Sequence, residues 1–385
     1  MSVTEASAYI SDPPSPTALQ ETAAILDARR TMEICNACRY CEGFCPVFPA
    51  MERRRAFSVA DLGHLANLCH NCKGCWYSCQ YAPPHEFGLN LPKRFAEVRT
   101  ETYVAFAWPS SLGATFERNG LWVAILTGIV LTLIIAGSIA FVAPGAMTAV
   151  HQGPGAFYQI MPHNVMVLLG GVTFGWAVLA MIIGGVRYWT ACGTSNVGLR
   201  HIIQAFREAG TTRHLGGAGD GCNDIDERYS LGRRHFHMAT LWGFLLSFAS
   251  TSVATLMHYF LGWEAPYSWY SAPVVLGTVG GVLLCIGTVG LFWLKVQADP
   301  EPANRRHFGM DHAFLALLFI VSATGLALLF FRHTSAMGWL LVVHLGFVFA
   351  LFLTLPYGKF VHGIYRTMAI IRDVAERQDE SKAKA

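Results

Sequence analysis

The sequence predicts an all-α protein in two parts: a polar, cysteine-rich helical module followed by a bundle of six transmembrane helices. Three observations predict it. Eight of the eleven cysteines fall in two matching runs near the start of the chain. The stretch between those runs carries apolar residues at helical spacing. From about residue 119 the text becomes apolar in six long segments, and the 385 residues together have a mean hydropathy of +0.38 with only 14% charged. Such values do not fit one soluble globule; they fit a polar segment joined to a membrane segment. A net charge of +3 is too small to argue for nucleic acid as a partner.

The cysteine runs are Cys35-x-x-Cys38-x-x-Cys41-x-x-x-Cys45-Pro46 and Cys69-x-x-Cys72-x-x-Cys75-x-x-x-Cys79. Three thiolates spaced by two residues can wrap three irons of one cubane, which leaves the fourth cysteine of each run to reach the other cluster. The pattern predicts two [4Fe–4S] clusters. Cys35, Cys38, Cys41 and Cys79 would hold one, and Cys69, Cys72, Cys75 and Cys45 the other. Disulfides and zinc are the alternatives, but zinc motifs use four ligands in two pairs rather than two runs of four. Met1 to Ala23 contains Asp12, Pro13 and Pro14 and no apolar core. That predicts no secretory signal and a cytosolic module, where thiols stay reduced.

In chain order, residues 1–30 read as a flexible arm with a short helix near Ala18–Arg30, and 31–118 as a cytoplasmic two-cluster module. Between the runs, Ser58 and Asp61 form a capping-box pattern, and Val59, Leu62, Leu65 and Leu68 recur at helical spacing. The linker is therefore helix, not a hairpin, and the module an α-helical ferredoxin. Residues 119–370 read as the membrane bundle, with spans at about 120–142, 164–187, 236–261, 270–295, 312–332 and 338–361. The loops 143–163 and 262–269 carry no Lys or Arg. The 188–235 loop carries Arg200, Arg207, Arg213, Arg228, Arg233 and Arg234, and 296–311 carries Arg305 and Arg306. The positive-inside rule then places both termini, the clusters and the 188–235 loop on the cytoplasmic face of the inner membrane. Residues 371–385 read as a polar tail.

Within the 188–235 loop, Val197–Phe206 reads as an amphipathic helix at the membrane surface. The run Gly216–Asn223 lacks the strand and the Lys-Ser/Thr ending of a phosphate loop, so it reads as a flexible loop or one packed against the cluster module. No Rossmann fingerprint is present. Cys192, Cys222 and Cys285 lack metal spacing, and Cys285 reads as a small core residue.

Ionisable groups inside spans are costly and point to function. Six histidines lie in or at the ends of the last four spans: His237, His258, His312, His333, His344 and His362. Haem b between helices needs two imidazoles at equal depth. Span six runs inward, and its His344 and His362 are 18 residues apart, five turns of helix on one face. The stacked pairs are then His258 with His344 on the outer side and His237 with His362 on the inner. His312 is a spare for the inner site and His163 or His333 for the outer. The competing reading is that the terminal histidines mark the headgroup boundary.

Four motifs together resemble the tricarballylate (citrate) utilization protein B family. They are the Cys-x-x-Cys-x-x-Cys-x-x-x-Cys-Pro run, Ser78–Phe87, Gly219-Asp220-Gly221-Cys222-Asn223 and Leu355–His362. The chain is also similar to the membrane half of the flavohaem protein CobZ, and its bundle to the cytochrome b subunit of nitrate reductase, whose last helix carries two haem-ligating histidines. His344 and His362 match that arrangement. The resemblance implies a redox partner for a separate cytosolic FAD-dependent dehydrogenase that oxidises tricarballylate to cis-aconitate. The B protein would reoxidise the flavin and pass electrons to the membrane.

The expected function is thus an electron conduit from that flavoprotein, docked near Arg53-Arg54-Arg55 and the Pro83–Glu86 corner, through two clusters and one or two b haems to quinone in the bilayer. Three rivals stand beside it: a redox-regulated six-span transporter with a cluster sensor, a cluster-only carrier without haem, and a scaffold in a respiratory complex. No repeated Gly/Pro-broken pair of spans marks a transport site. Under the conduit reading, Cys72→Ser leaves flavin reduction in the partner intact and blocks flavin reoxidation by quinone. Full turnover of the variant with its partner enzyme would contradict it.

Overall fold

The computed structural model describes residues 19–194, 196–217, 219–304 and 308–384. Residues 1–18 of the expected arm lie outside them, as do Ala218, Arg305 and Arg306. Among the described residues there is no strand, only an isolated bridge between Cys222 and Ser230, so the all-α expectation holds.

Five helices build the cysteine module. The first, α1 (Ala23–Cys38), starts at Thr22, whose hydroxyl accepts from Ile25 N, and stops where Arg39 turns left-handed at φ 55°. It begins later than the short helix expected near Ala18–Arg30 and runs on to carry Cys35 and Cys38. Next, α2 (Val47–Glu52) follows Cys45-Pro46 directly. The predicted capping box opens α3 (Val59–Leu68): Asp61 N donates to Ser58 Oγ at 3.1 Å, and Ser58 N to Asp61 Oδ2 at 3.4 Å. The short α4 (Gly74–Tyr77) bears Cys75, and α5 (Leu91–Phe106), capped by Asn90, closes the module.

The remaining elements are α6 (Asn119–Phe141), α7 (His163–Cys192), α8 (Leu199–Gly210), α9 (Gly232–Leu261), α10 (Ala272–Gln297), α11 (Phe308–Phe331), α12 (Met337–Thr354) and α13 (Val361–Lys384). Six of them, α6, α7 and α9 to α12, are long and apolar enough to cross a membrane. Leu133, Val172 and Ile182 each remain more than half exposed, as suits a lipid-facing surface. The closest helix pair is α9 on α10. A Cβ at Gly280 would lie 2.7 Å from Ser247 N, and one at Gly243 2.7 Å from Leu284 N, the contact of helices packed on small residues.

Two expectations need correction. The sixth span does not continue to residue 361. Pro356 has no N–H to give a continuing helix, so α12 stops at Thr354, a 3₁₀ turn covers Leu355–Tyr357, and α13 starts afresh at Val361. His344 and His362 therefore lie on different helices, and the five-turn relation between them does not hold. Nor is 371–384 a free tail. Ala369, Ile370 and Val374 of α13 share one core with Ile25, Phe48, Leu65 and Phe95 of the cysteine module. Asp373, fully buried, pairs with Arg53 and with Arg377 at 2.9 Å. Glu376 takes Arg54 at 2.8 Å and Arg372 at 2.7 Å. Arg372 also donates to Cys192 O at 2.7 Å, at the carboxyl end of α7, where a cation is favoured. As expected, α8 is amphipathic: Ala205 joins the shared core, while Leu199, Ile203 and Phe206 stay exposed.

Glu376→Ala removes the carboxylate shared by Arg53, Arg54 and Arg372. Leaving those partly buried cations short of a partner costs about 2–3 kcal/mol. Limited trypsin digestion of the variant then releases the α13 segment faster than from the parent protein; equal rates would mean the network does not hold the helix.

Candidate metal centre

The eight cysteines converge on two neighbouring cavities, and each cavity draws its fourth thiol from the other run. Cys35, Cys38, Cys41 and Cys79 line the first with Tyr40, Gln80 and Tyr81. Cys45, Cys69, Cys72 and Cys75 line the second with His70, Asn71 and Lys73. Cys75 touches both. All eleven cysteines are free thiols. Among the described residues no three His, Cys, Asp or Glu side chains close on a single metal ion; the thiols surround spaces instead.

Local backbone geometry produces this. The 69–75 loop turns left-handed at Asn71 (φ 55°) and Lys73 (φ 64°), which bends three successive thiols inward. Asn71 N donates to Cys69 Sγ at 3.4 Å, and Gln80 Nε2 to Cys38 Sγ at 3.8 Å. Burial, then the neighbouring Cys79, pushes the Cys35 thiol up to about 12, and burial with Cys79 does the same to Cys41. Cys45 and Cys75 are raised too, first by burial. Cys72 runs the other way: a hydrogen bond with Cys222 holds it low, helped by the Gly74 amide and Arg233. Four thiols lining one small space are the donor set that a shared cation can deprotonate and bind. The donor set therefore fits one iron–sulfur cube per cavity.

The glycine-rich loop packs against the second run, the second of its two expected states. Asn223 N donates to Cys72 O at 2.9 Å, and Cys222 is buried beside Cys72.

Three arginines grip the same run. Arg99 Nη2 and Arg366 Nη2 donate to Cys69 O at 2.8 and 3.0 Å, and Arg233 Nη1 donates to Asn71 O at 2.7 Å. Arg233 lies four residues before His237 on α9, and Arg366 four residues after His362 on α13. Each imidazole is thus one helical turn, about 6 Å of rise, from an arginine on the cysteine loop. The rings of His237 and His362 meet at 6.2 Å between centroids. His362 Nδ1 donates to Lys359 O at 2.5 Å, which leaves Nε2 as its open lone pair. Burial, then Arg366 and Lys359, holds His362 well below the ordinary imidazole range, so it is neutral. His237 Nδ1 is buried with no hydrogen-bond partner among the described residues.

The break before His362 is braced. Trp176 Nε1 donates to Tyr357 Oη at 3.1 Å, Tyr357 Oη donates to Trp108 O at 2.9 Å, and Lys359 pairs with Asp311 at 2.7 Å.

The outer pair does not come together. His258 stacks on His163 at 3.9 Å and lies beside Tyr158. That separation is too short for one ion between the rings. His344 instead bonds Thr324 Oγ1 at 3.1 Å, its ring against Gly325 of α11. His312 packs on Phe292 and bonds Phe308 O. Of the expected docking arginines, Arg53 and Arg54 are held in ion pairs with Asp373, Glu376 and Asp61, and only Arg55 is exposed. The Pro83–Glu86 corner remains open next to the first cavity, flanked by Tyr40 and Phe87.

Sequence reasoning counted Arg233 only as a loop charge and passed over Arg99, Arg366 and Lys73. The mirrored spacing Arg233-x-x-x-His237 and His362-x-x-x-Arg366 was the available signal.

A family profile described as citrate utilization protein B matches residues 114–383, and one for the Fer4-like domain of that protein matches 28–105. The citrate utilization protein B of Escherichia coli is 46% identical over 359 residues, 93% of this chain and 94% of its own length. The chain belongs to the citrate utilization protein B family. No solved structure matches it. The two profiles flank residues 106–113, where α5 ends and Trp108-Pro109 leads into the first membrane helix. A Fer4-like domain joined to six apolar helices makes it a multi-pass membrane protein suited to electron transfer.

Crosswise ligation has a direct check. Cys79→Ala and Cys35→Ala abolish the same cluster signal in electron paramagnetic resonance, while Cys45→Ala and Cys72→Ala abolish the other. If Cys79→Ala instead removed the signal lost in Cys72→Ala, each run would serve its own cluster.

Proposed function

We propose that this protein is a membrane electron-transfer protein that reoxidises a cytosolic FAD-dependent dehydrogenase of the tricarballylate type and delivers the electrons to quinone. Cys35, Cys38, Cys41 and Cys79 would hold one [4Fe–4S] cluster, Cys69, Cys72, Cys75 and Cys45 the second, and His237 with His362 a haem b. Each of these groups, when bound, supplies a one-electron couple, so a two-electron flavin can be emptied in single steps.

The observation that carries the reading is the double link between the second cysteine run and the imidazole pair. Arg233 and Arg366 bond the carbonyls of Asn71 and Cys69, and each sits one turn from His237 or His362. The chain thereby holds a thiol site and an imidazole site at a short fixed distance. Core residues Phe48 and Leu91 line both cysteine cavities. The exposed Pro83–Phe87 corner beside the first cavity supports flavoprotein docking at that end. The basic residues of the 188–235 loop support a cytoplasmic module and termini in an inner membrane. His258 and His344 are left out of the haem assignment, because their contacts are with His163 and Thr324.

The test is the dithionite-reduced minus oxidised optical spectrum of the detergent-purified protein, with iron quantified. Sharp b-type bands with about eight non-haem irons per chain are expected, two cubanes' worth. His362→Ala loses the bands and keeps the eight irons, whereas His163→Ala keeps both. Bands that survive in His362→Ala sink the haem assignment, and a haem-free protein with eight irons reduces the reading to clusters that serve quinone directly.

A further inference from the structure

The two cysteine cavities differ in their electrostatic surroundings. Apart from its thiols, the first is lined by Tyr40, Phe48, Gln80, Tyr81, Leu89 and Leu91, none of them charged at neutral pH. The second is lined by Lys73, and Arg99, Arg233 and Arg366 bond the backbone of its loop at 2.7–3.0 Å. Arg99 and Lys73 are both more than nine-tenths buried. The carboxylates facing this group are Asp224, which accepts from Arg233 N at 3.0 Å, and Asp299, whose carbonyl takes Lys73 Nζ at 3.4 Å. Four cations thus stand against two carboxylates.

A cubane held by four thiolates is anionic and becomes more so on reduction, so nearby cations favour its reduced form. Cluster potentials respond to net charge, hydrogen bonds at sulfur and exposure to solvent. Burial of the second site acts in the opposite sense, since water would also stabilise the added charge. The cations prevail because they lie in direct contact with the loop, where low dielectric strengthens their attraction.

We propose that Arg99, Arg233, Arg366 and Lys73 set the cluster on Cys45, Cys69, Cys72 and Cys75 at the higher reduction potential, so that electrons run downhill from the exposed cysteine set toward the membrane helices. The inference rests on the two-cluster reading above. Its elementary step moves one electron, oxidising the cluster of the first cavity and reducing that of the second, with no bond made or broken.

The experiment is a redox titration of the full-length purified protein, followed by electron paramagnetic resonance, in the parent and in Arg233→Gln, Lys73→Gln, Arg233→Lys and Gln80→Leu. Arg233→Gln and Lys73→Gln each shift the higher-midpoint signal downward by a tenfold change in its oxidised-to-reduced ratio, about 59 mV for a one-electron couple, and leave the lower signal in place. Arg233→Lys, which keeps the charge, returns the midpoint toward the parent value, which a purely structural role would not require. Gln80→Leu, beside Cys38, moves only the lower signal. The ordering is overturned if the arginine and lysine variants move the lower signal, or neither. A preparation reconstituted with iron and sulfide that shows no [4Fe–4S] signal overturns the two-cluster reading itself, a result distinct from two signals in the wrong order.

Discussion

The contact on which the rest depends is the grip of three guanidinium groups on the carbonyls of Cys69 and Asn71. Charge-assisted hydrogen bonds of this kind are shorter and stronger than neutral ones. Here they come from three separate helices: Arg99 on α5, Arg233 on α9 and Arg366 on α13. A loop of consecutive thiols with two residues in the left-handed region has no stable shape of its own. Tied to three helices, it becomes a fixed point around which the cysteine module and the membrane helices are oriented.

That tie explains why the C-terminal helix returns to the beginning of the chain. The helix α13 leaves the membrane bundle at His362, reaches the cysteine loop with Arg366, and then buries Ala369, Ile370 and Val374 among α1, α2, α3 and α5. The carboxylates of buried Asp373 and partly buried Glu376 are matched by arginines from the cysteine module and from α13 itself, which satisfies charges that burial alone would make costly. The cysteine module is thus assembled from both ends of the chain, and its contact with the bundle is part of its own core rather than a flexible hinge.

Much of this was legible in the residues. The two cysteine runs, their crosswise grouping, the Ser58–Asp61 cap and the six apolar segments all rest on local spacing, and local spacing survives folding. What failed was reasoning that assumed continuity. Taking residues 338–361 as one helix placed His344 and His362 on a single face; Pro356 ends that helix, and the two rings serve different neighbours. Reading Arg53 and Arg54 as a docking patch treated surface-like composition as exposure, while two of their carboxylate partners, Asp373 and Glu376, lie some 320 residues further along the chain.

By itself, the sequence determined the cysteine spacing, the local helix caps and the membrane-spanning lengths, because each is set by neighbours within a few turns of the same segment. Only the tertiary structure decided which histidines meet, which arginines face the second cysteine run, and where residues 371–384 belong. Those outcomes depend on pairings between segments hundreds of residues apart, where burying a charge or an imidazole is tolerated only if a partner from elsewhere in the chain arrives to meet it.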